Sequence, residues 1–106
     1  MAASVNRILA YSYRSEITED AKIALQARIH SLQADCKRDG NSYIADVIQG
    51  QSGLASKSDY TFIFKFDTVE SMRYMVEQDP VYQAVHADIL NSSEDIFISA
   101  FENGMF

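Results

Sequence analysis

The eight residues DYTFIFKF, Asp59 to Phe66, constrain the fold more than any other stretch of the chain. Alternate positions of an extended backbone face opposite ways, so Tyr60, Phe62, Phe64 and Phe66 project from one side. Four rings at this spacing mark a strand whose aromatic side belongs in a core, or, on the sharper reading, forms a ligand wall. Ile63 opposes them, so the strand is apolar on both faces. VNRILAYSY, residues 5–13, alternates in the same manner. One face carries Val5, Arg7, Leu9, Tyr11 and Tyr13; the other carries Asn6, Ile8, Ala10 and Ser12. SYIADVIQ (42–49) and DIFISAF (95–101) read as two further strands, and GQSGLASKS (50–58) as a flexible exit from the former.

Helix signals lie between the strands. SEITEDAK offers Thr18 as N-cap, Glu19 and Asp20 for the positive end of the helix dipole, and Ile17 as a staple. The helix is expected to run to Lys37 or Arg38 and to stop at Gly40. Ala21, Leu25, Ile29, Leu32 and Cys36 form its apolar stripe, with a weaker one of Ile23, Ala27, His30 and Ala34 on the far side. In DTVE, Asp67 and Glu70 match a capping box with Asp67 as cap, ahead of a face of Val69, Met72, Arg73 and Val76. DP then restarts a helix, with Asp79 as N-cap and Pro80 at its first position, where a missing amide costs nothing. Val81, Val85 and Ile89 mark its apolar side, and it ends at NSS.

The order β-α-β-β-α-β predicts an α+β fold, the ferredoxin-like plait: a four-stranded antiparallel sheet with helices on one face. We expect a single domain over residues 1–106. Helices cover only one sheet face, yet the strands are apolar on both, and a bare apolar face is a partner site. A second copy packed sheet to sheet about a two-fold axis covers it most economically, so a homodimer through the open sheet face is expected.

Composition narrows the function classes. A formal net charge of −6 argues against nucleic acid, which needs a concentrated basic surface. Apolar runs fall far short of the ~18 residues of a membrane span, and MAASVNRILAYSY lacks a signal-peptide pattern, so a cytoplasmic protein is expected. The one cysteine, Cys36, forbids an internal disulfide and reads as a small buried hydrophobe. No ligand spacing points to a metal: Asp88, Glu94 and Asp95 gather near a helix end without a repeating pattern. GQSG lacks the lysine and following helix of a phosphate loop. No cofactor is implied.

Several segments together resemble the stress-responsive A/B barrel domain, the dimeric α/β barrel or Dabb family. They are RILAYSY as the opening strand, EITED at the first helix start, DYTFIFKFDTVESM as the third strand with its helix, and DPVYQAV, similar to the family's histidine-proline-x-histidine segment. The resemblance spans about residues 5–101. It implies two ferredoxin-like protomers whose sheets close into a barrel-like dimer, with a pocket in each between sheet and helices. It leaves a weak divalent site near the dimer interface open. Most members have no assigned activity, and a few close polyketide chains by aldol-type chemistry. The resemblance places Arg7 and Tyr82 where those members carry histidines, and Asp79 where the histidine before the proline stands. Their helix tyrosine falls at Met75 or Val76, beside Tyr74.

Arginine and tyrosine are poor bases at neutrality, but arginine clamps carboxylates or enolates and tyrosine donates to them. Arg7 therefore reads either as a strand-end cation with its head in water or as part of an amphiphilic pocket of Arg7, Leu9, Tyr11, Ile29 and Tyr82. His86, four residues after Tyr82, shares its helix face; Tyr82 and His86 are the candidates for catalysis, with His30 a second histidine. Three functions remain open. One is a homodimer binding a small hydrophobic or anionic molecule. Another is a small cofactor-independent enzyme, polyketide cyclase-like or monooxygenase-like. The last is a module whose task is assembly.

Overall fold

The structure, a computed structural model, describes residues 4–51 and 59–103; most of the expected flexible exit, 50–58, lies outside them. In chain order the elements are β1 (Val5–Tyr13), α1 (Glu19–Asp35), β2 (Lys37–Arg38), β3 (Asn41–Ser42), β4 (Asp46–Gln51), β5 (Tyr60–Phe66), α2 (Val69–Glu77), α3 (Pro80–Ser92) and β6 (Ser93–Glu102). Four strands form an antiparallel sheet in the order β4-β5-β1-β6, the ferredoxin-like arrangement that the element order predicts.

The period-two alternation sorts the sheet into two faces. Leu9, Tyr11, Phe62, Phe64 and Phe66 lie under the helices with no exposed surface, packed with Leu25, Ile29, Leu32, Met75, Tyr82, Val85 and Ile89. Each buried Phe contributes roughly 1.5–3 kcal/mol of burial free energy, so the aromatic stripe is core. The opposite face pairs Ile8 with Ile63 and Ile63 with Ile48 across β1, β5 and β4. Ala10 and Asn6 lie opposite Phe97 and Phe101 of β6. Ile48, Phe97 and Phe101 remain 44 %, 57 % and 49 % exposed on this uncovered side.

β6 keeps its pairing with β1 only by inserting a bulge. Ala10 pairs with Phe97 but Ser12 pairs with Glu94, and Asp95 takes a positive φ of 53° in between. The strand consequently starts at Ser93, two residues before the expected start.

Several local expectations are corrected. Helix α1 ends at Asp35, not at Lys37 or Arg38, with Cys36 as an extended C-cap. Lys37 and Arg38 instead pair with Ser42 and Asn41 across a tight turn. Asp39 and Gly40 both have positive φ, 52° and 81°, as a two-residue hairpin of mirror-image turn type requires. Strand β4 starts at Asp46 rather than Ser42, which already belongs to that hairpin. Thr68, not Asp67, caps α2: its extended backbone lets Oγ1 accept from Ser71 N at 3.1 Å. Glu70 turns instead to Arg38, 2.9 Å away. Met75 takes the deepest place on α2 and Arg73 is exposed; on α3, Tyr82 takes the buried place and Val81 is exposed. Ala21 is also exposed, while Leu25, Ile29, Leu32 and Cys36 of the α1 stripe are buried.

Candidate functional site

Two neighbouring elements bring the polar groups of the site together. Arg7 lies on the helix-facing side of β1, between Phe64 of β5 and the small Ala100 of β6. Above it runs α3, whose start is fixed by Asp79. The Asp79 carboxylate accepts from Val81 N at 2.9 Å and Tyr82 N at 3.5 Å, with Pro80 in the first turn. That start sets the rotation of α3. Tyr82 turns inward with its ring edge-on to Phe64 at 6.3 Å, and His86 follows one turn later.

The three side chains form a short chain of contacts. Arg7 Nη2 donates to Tyr82 Oη at 3.4 Å, and Tyr82 Oη lies 3.2 Å from His86 Nδ1. Arg7 Nε is buried and has no hydrogen-bond partner. A buried N–H without an acceptor costs about 1–3 kcal/mol, more for a charged group, so its persistence needs a reason. A cavity of about 260 Å³ adjoins these residues, with Val76 of α2, Leu90 of α3 and Ile98 of β6 as its apolar walls. Burial, and then the facing Arg7 charge, hold the His86 pKa below its ordinary value. His86 is therefore neutral at pH 7.

The other expected pocket residues lie elsewhere. Leu9, Tyr11 and Ile29 are fully buried in the core and do not line this cavity. Tyr11 Oη lies 3.0 Å from Tyr13 Oη, and burial drives its pKa far above the usual tyrosine range. Tyr74 faces away from Arg7: its ring meets Tyr43 at 5.2 Å and lies under the Arg38 guanidinium at 4.9 Å. His30 is exposed beside a shallow groove with Ser42 and Ile44. Among the described residues, no group of three or more His, Cys, Asp or Glu is placed to hold a metal ion. The apolar walls were not anticipated from sequence, although Leu90 continues the Tyr82–His86 row at the same four-residue step.

A second polar cluster sits at the start of α3. Tyr43 Oη donates to the second carboxylate oxygen of Asp79, which is 1 % exposed. Cys36 is wholly buried nearby; burial, and then the Asp79 charge, push its thiol up to about 12. Such a thiol is inert at neutral pH.

No protein-family model and no curated protein sequence matches the chain. Solved structures do match. A hydroxynitrile lyase from Passiflora edulis superposes with a TM-score of 0.83 at 14 % identity, over 98 % of this chain and 97 % of that one. A dimeric ferredoxin-like protein of unknown function from Thermobifida fusca gives 0.77 at 17 % identity, over 96 % and 92 %. A Dabb family protein with a ferredoxin-like fold from Mesorhizobium loti gives 0.73 at 7 % identity, over 94 % and 96 %. At these identities the likeness is one of fold. The chain has the ferredoxin-like fold of stress-responsive A/B barrel proteins, which its sequence segments resemble.

Proposed function

We propose that the chain acts as a homodimer, packed through its open sheet face, that binds a small molecule with an anionic group and an apolar body between sheet and helices. The observation that carries the binding site is the buried, unpartnered Nε of Arg7 beside a cavity walled by Tyr82, Gln83 and His86 and by the apolar Val76, Ala87, Leu90 and Ile98. A guanidinium edge with a free N–H suits an oxyanion, and Val76, Leu90 and Ile98 suit a hydrocarbon body. Self-association is supported by the exposed Ile48, Phe97 and Phe101 and by the dimeric state of the Thermobifida fusca protein. A native mass spectrum of the purified protein tests both parts. The expected result is a dimer with added non-covalent mass, and loss of that mass in Arg7→Met with the dimer kept. A monomer at micromolar concentration would sink the dimer. An adduct unchanged in Arg7→Met would sink the site.

One observation favours a second reading, a small enzyme that works without a cofactor. His86 stays unprotonated beside a cation, which pairs a proton acceptor with a group able to hold an enolate or alkoxide. The hydroxynitrile lyase shows that an enzyme can use this fold. On this reading turnover by the chain disappears in His86→Gln while ligand uptake persists; retained turnover would remove His86 as the base.

A further inference from the structure

The hydrogen bonds beside the cavity have a direction. Arginine has no acceptor, so Arg7 Nη2 must donate and Tyr82 Oη must accept. With its hydrogen on Nε2, a neutral His86 accepts the single hydrogen of the Tyr82 hydroxyl at Nδ1; with its hydrogen on Nδ1, it donates to Tyr82 Oη instead. In the Nε2–H tautomer the chain of donors runs from Arg7 through Tyr82 to His86. It begins at a guanidinium whose Nε–H has no acceptor, and it ends on a basic nitrogen. Nε and Nη2 share one edge of the planar guanidinium, so an acceptor with two coplanar oxygens meets both once the side chains that cover Nε give way.

We propose, resting on the reading of this cavity as a binding site, that its ligand is a carboxylate taken up together with one proton. The carboxylate occupies the Nε–Nη2 edge of Arg7. Tyr82 reverses its hydroxyl to donate to the anion, and His86 Nδ1 gains the proton and donates to Tyr82 Oη. The Arg7 Nε–Nη2 edge, the Tyr82 hydroxyl and His86 Nδ1–H then each have an acceptor. Without the proton, His86 would free the Tyr82 hydrogen only by shifting its own to Nδ1, and the added negative charge would face Arg7 alone. The charge also balances: Arg7 alone gives +1 before, and Arg7, protonated His86 and the carboxylate sum to +1 after. The anion cancels the Arg7 charge that, after burial, keeps His86 unprotonated.

The groups around His86 leave the coupling simple. β1 presents Arg7 and the histidine's own helix presents Tyr82, while α2 and β6 present Val76 and Ile98. From α1, Arg28 is engaged with Asp88 in an ion pair. One fixed cation matches a monoanion. A phosphate dianion would need more donors: Val76, Leu90 and Ile98 provide none, and Gln83 Nε2 already donates to Glu77 O at 2.9 Å.

The test uses benzoate on the intact protein, titrated calorimetrically from pH 5.5 to 8 in buffers of different ionisation enthalpy. Benzoate stays ionised throughout, its carboxyl titrating near ~4 like other carboxylic acids. Affinity should climb as pH falls, by up to about tenfold per pH unit, within the window between the free and bound His86 midpoints. Proton uptake should approach one per site at the middle of that window. The chain has two histidines, so NMR separates them: benzoate should raise the His86 midpoint and leave His30 unmoved. His86→Gln should bind with a flat pH profile. Binding without proton uptake, or a slope that survives in His86→Gln, would overturn the coupling and leave the binding site standing. Inorganic phosphate competing as well as benzoate would overturn the carboxylate assignment. No binding of benzoate at any pH would overturn the inference outright, whereas the binding reading falls only if the Arg7-dependent adduct is also missing.

Discussion

Two polar clusters share α3 and are built to opposite standards. At its first turn, Asp79 is satisfied on both oxygens, by Val81 N and Tyr82 N on one and Tyr43 Oη on the other. On the inward side of the same turn, Arg7 reaches the Tyr82 hydroxyl with one nitrogen at 3.4 Å and leaves Nε without a partner. Buried polar groups that hold a fold together are fully hydrogen-bonded, because each one left open costs stability. A group left open beside a cavity is held for something else. The first cluster fixes where α3 starts and how it is rotated, and the second uses that rotation.

Substitutions should separate the two. Asp79→Ala removes the cap and takes the acceptor from the half-buried Tyr43 hydroxyl, so we expect a loss of about 2–4 kcal/mol in urea unfolding. Asp79→Asn, which keeps a capping oxygen, should recover part of it. A loss below about 0.5 kcal/mol for the alanine variant would mean that the cluster does not anchor the helix. Tyr43→Phe leaves one carboxylate oxygen unpaired and should cost about 1–2 kcal/mol by the same measurement. Arg7→Met goes the other way. It replaces a partly buried, incompletely paired cation with an apolar chain of similar length, so stability should change by less than about 1 kcal/mol in either direction. A loss as large as that of Asp79→Ala would erase the contrast.

The smallest expected effect is that of pH. The His86 pKa is lower in the folded chain than its ordinary value of about 6.5 when unfolded. Between those two values the unfolded chain binds more protons, so stability falls as pH drops through this window. Above about pH 7 His86 is neutral in both states and contributes no slope. His86→Gln should flatten this one component of the stability profile, read as the difference between the two proteins' unfolding midpoints from pH 7.5 down to 5. Identical profiles would place His86 in an environment like water.

Local chemistry made most of the fold legible. The alternation of β1 and β5 assigned their faces, and Leu25, Ile29, Leu32 and Cys36 assigned the inner face of α1, because side-chain period follows backbone geometry. Thr18, Asp79 and Pro80 sit at the helix starts that their chemistry favours. Errors arose where one residue had two plausible roles. Gly40 can stop a helix or complete a hairpin turn with Asp39, and the pairing of Lys37 with Ser42 decides for the hairpin. Asp67 and Thr68 can both cap, and the extended backbone falls at Thr68. At the site, Tyr82 and His86 were readable as a pair because they are one helical turn apart. Arg7 was joined to Tyr82 only through the family resemblance, since their contact spans 75 positions and depends on the strand order. Tyr43 meets Asp79 across 36 positions for the same reason. Leu9, Tyr11 and Ile29 were misplaced at the cavity because an inward-facing residue can end beneath packed side chains as easily as beside a void.

The bulge at Asp95 gives β6 two reading frames. Ahead of it, odd-numbered Ser93 turns toward the helices opposite Tyr13; beyond it, even-numbered Ile98 and Ala100 turn inward and odd-numbered Phe97 and Phe101 turn out. A single residue of phase thereby sorts the strand into two vocabularies. One, smooth and aliphatic, forms a wall of the open cleft beside Arg7; the other, aromatic, is displayed on the open face of the sheet.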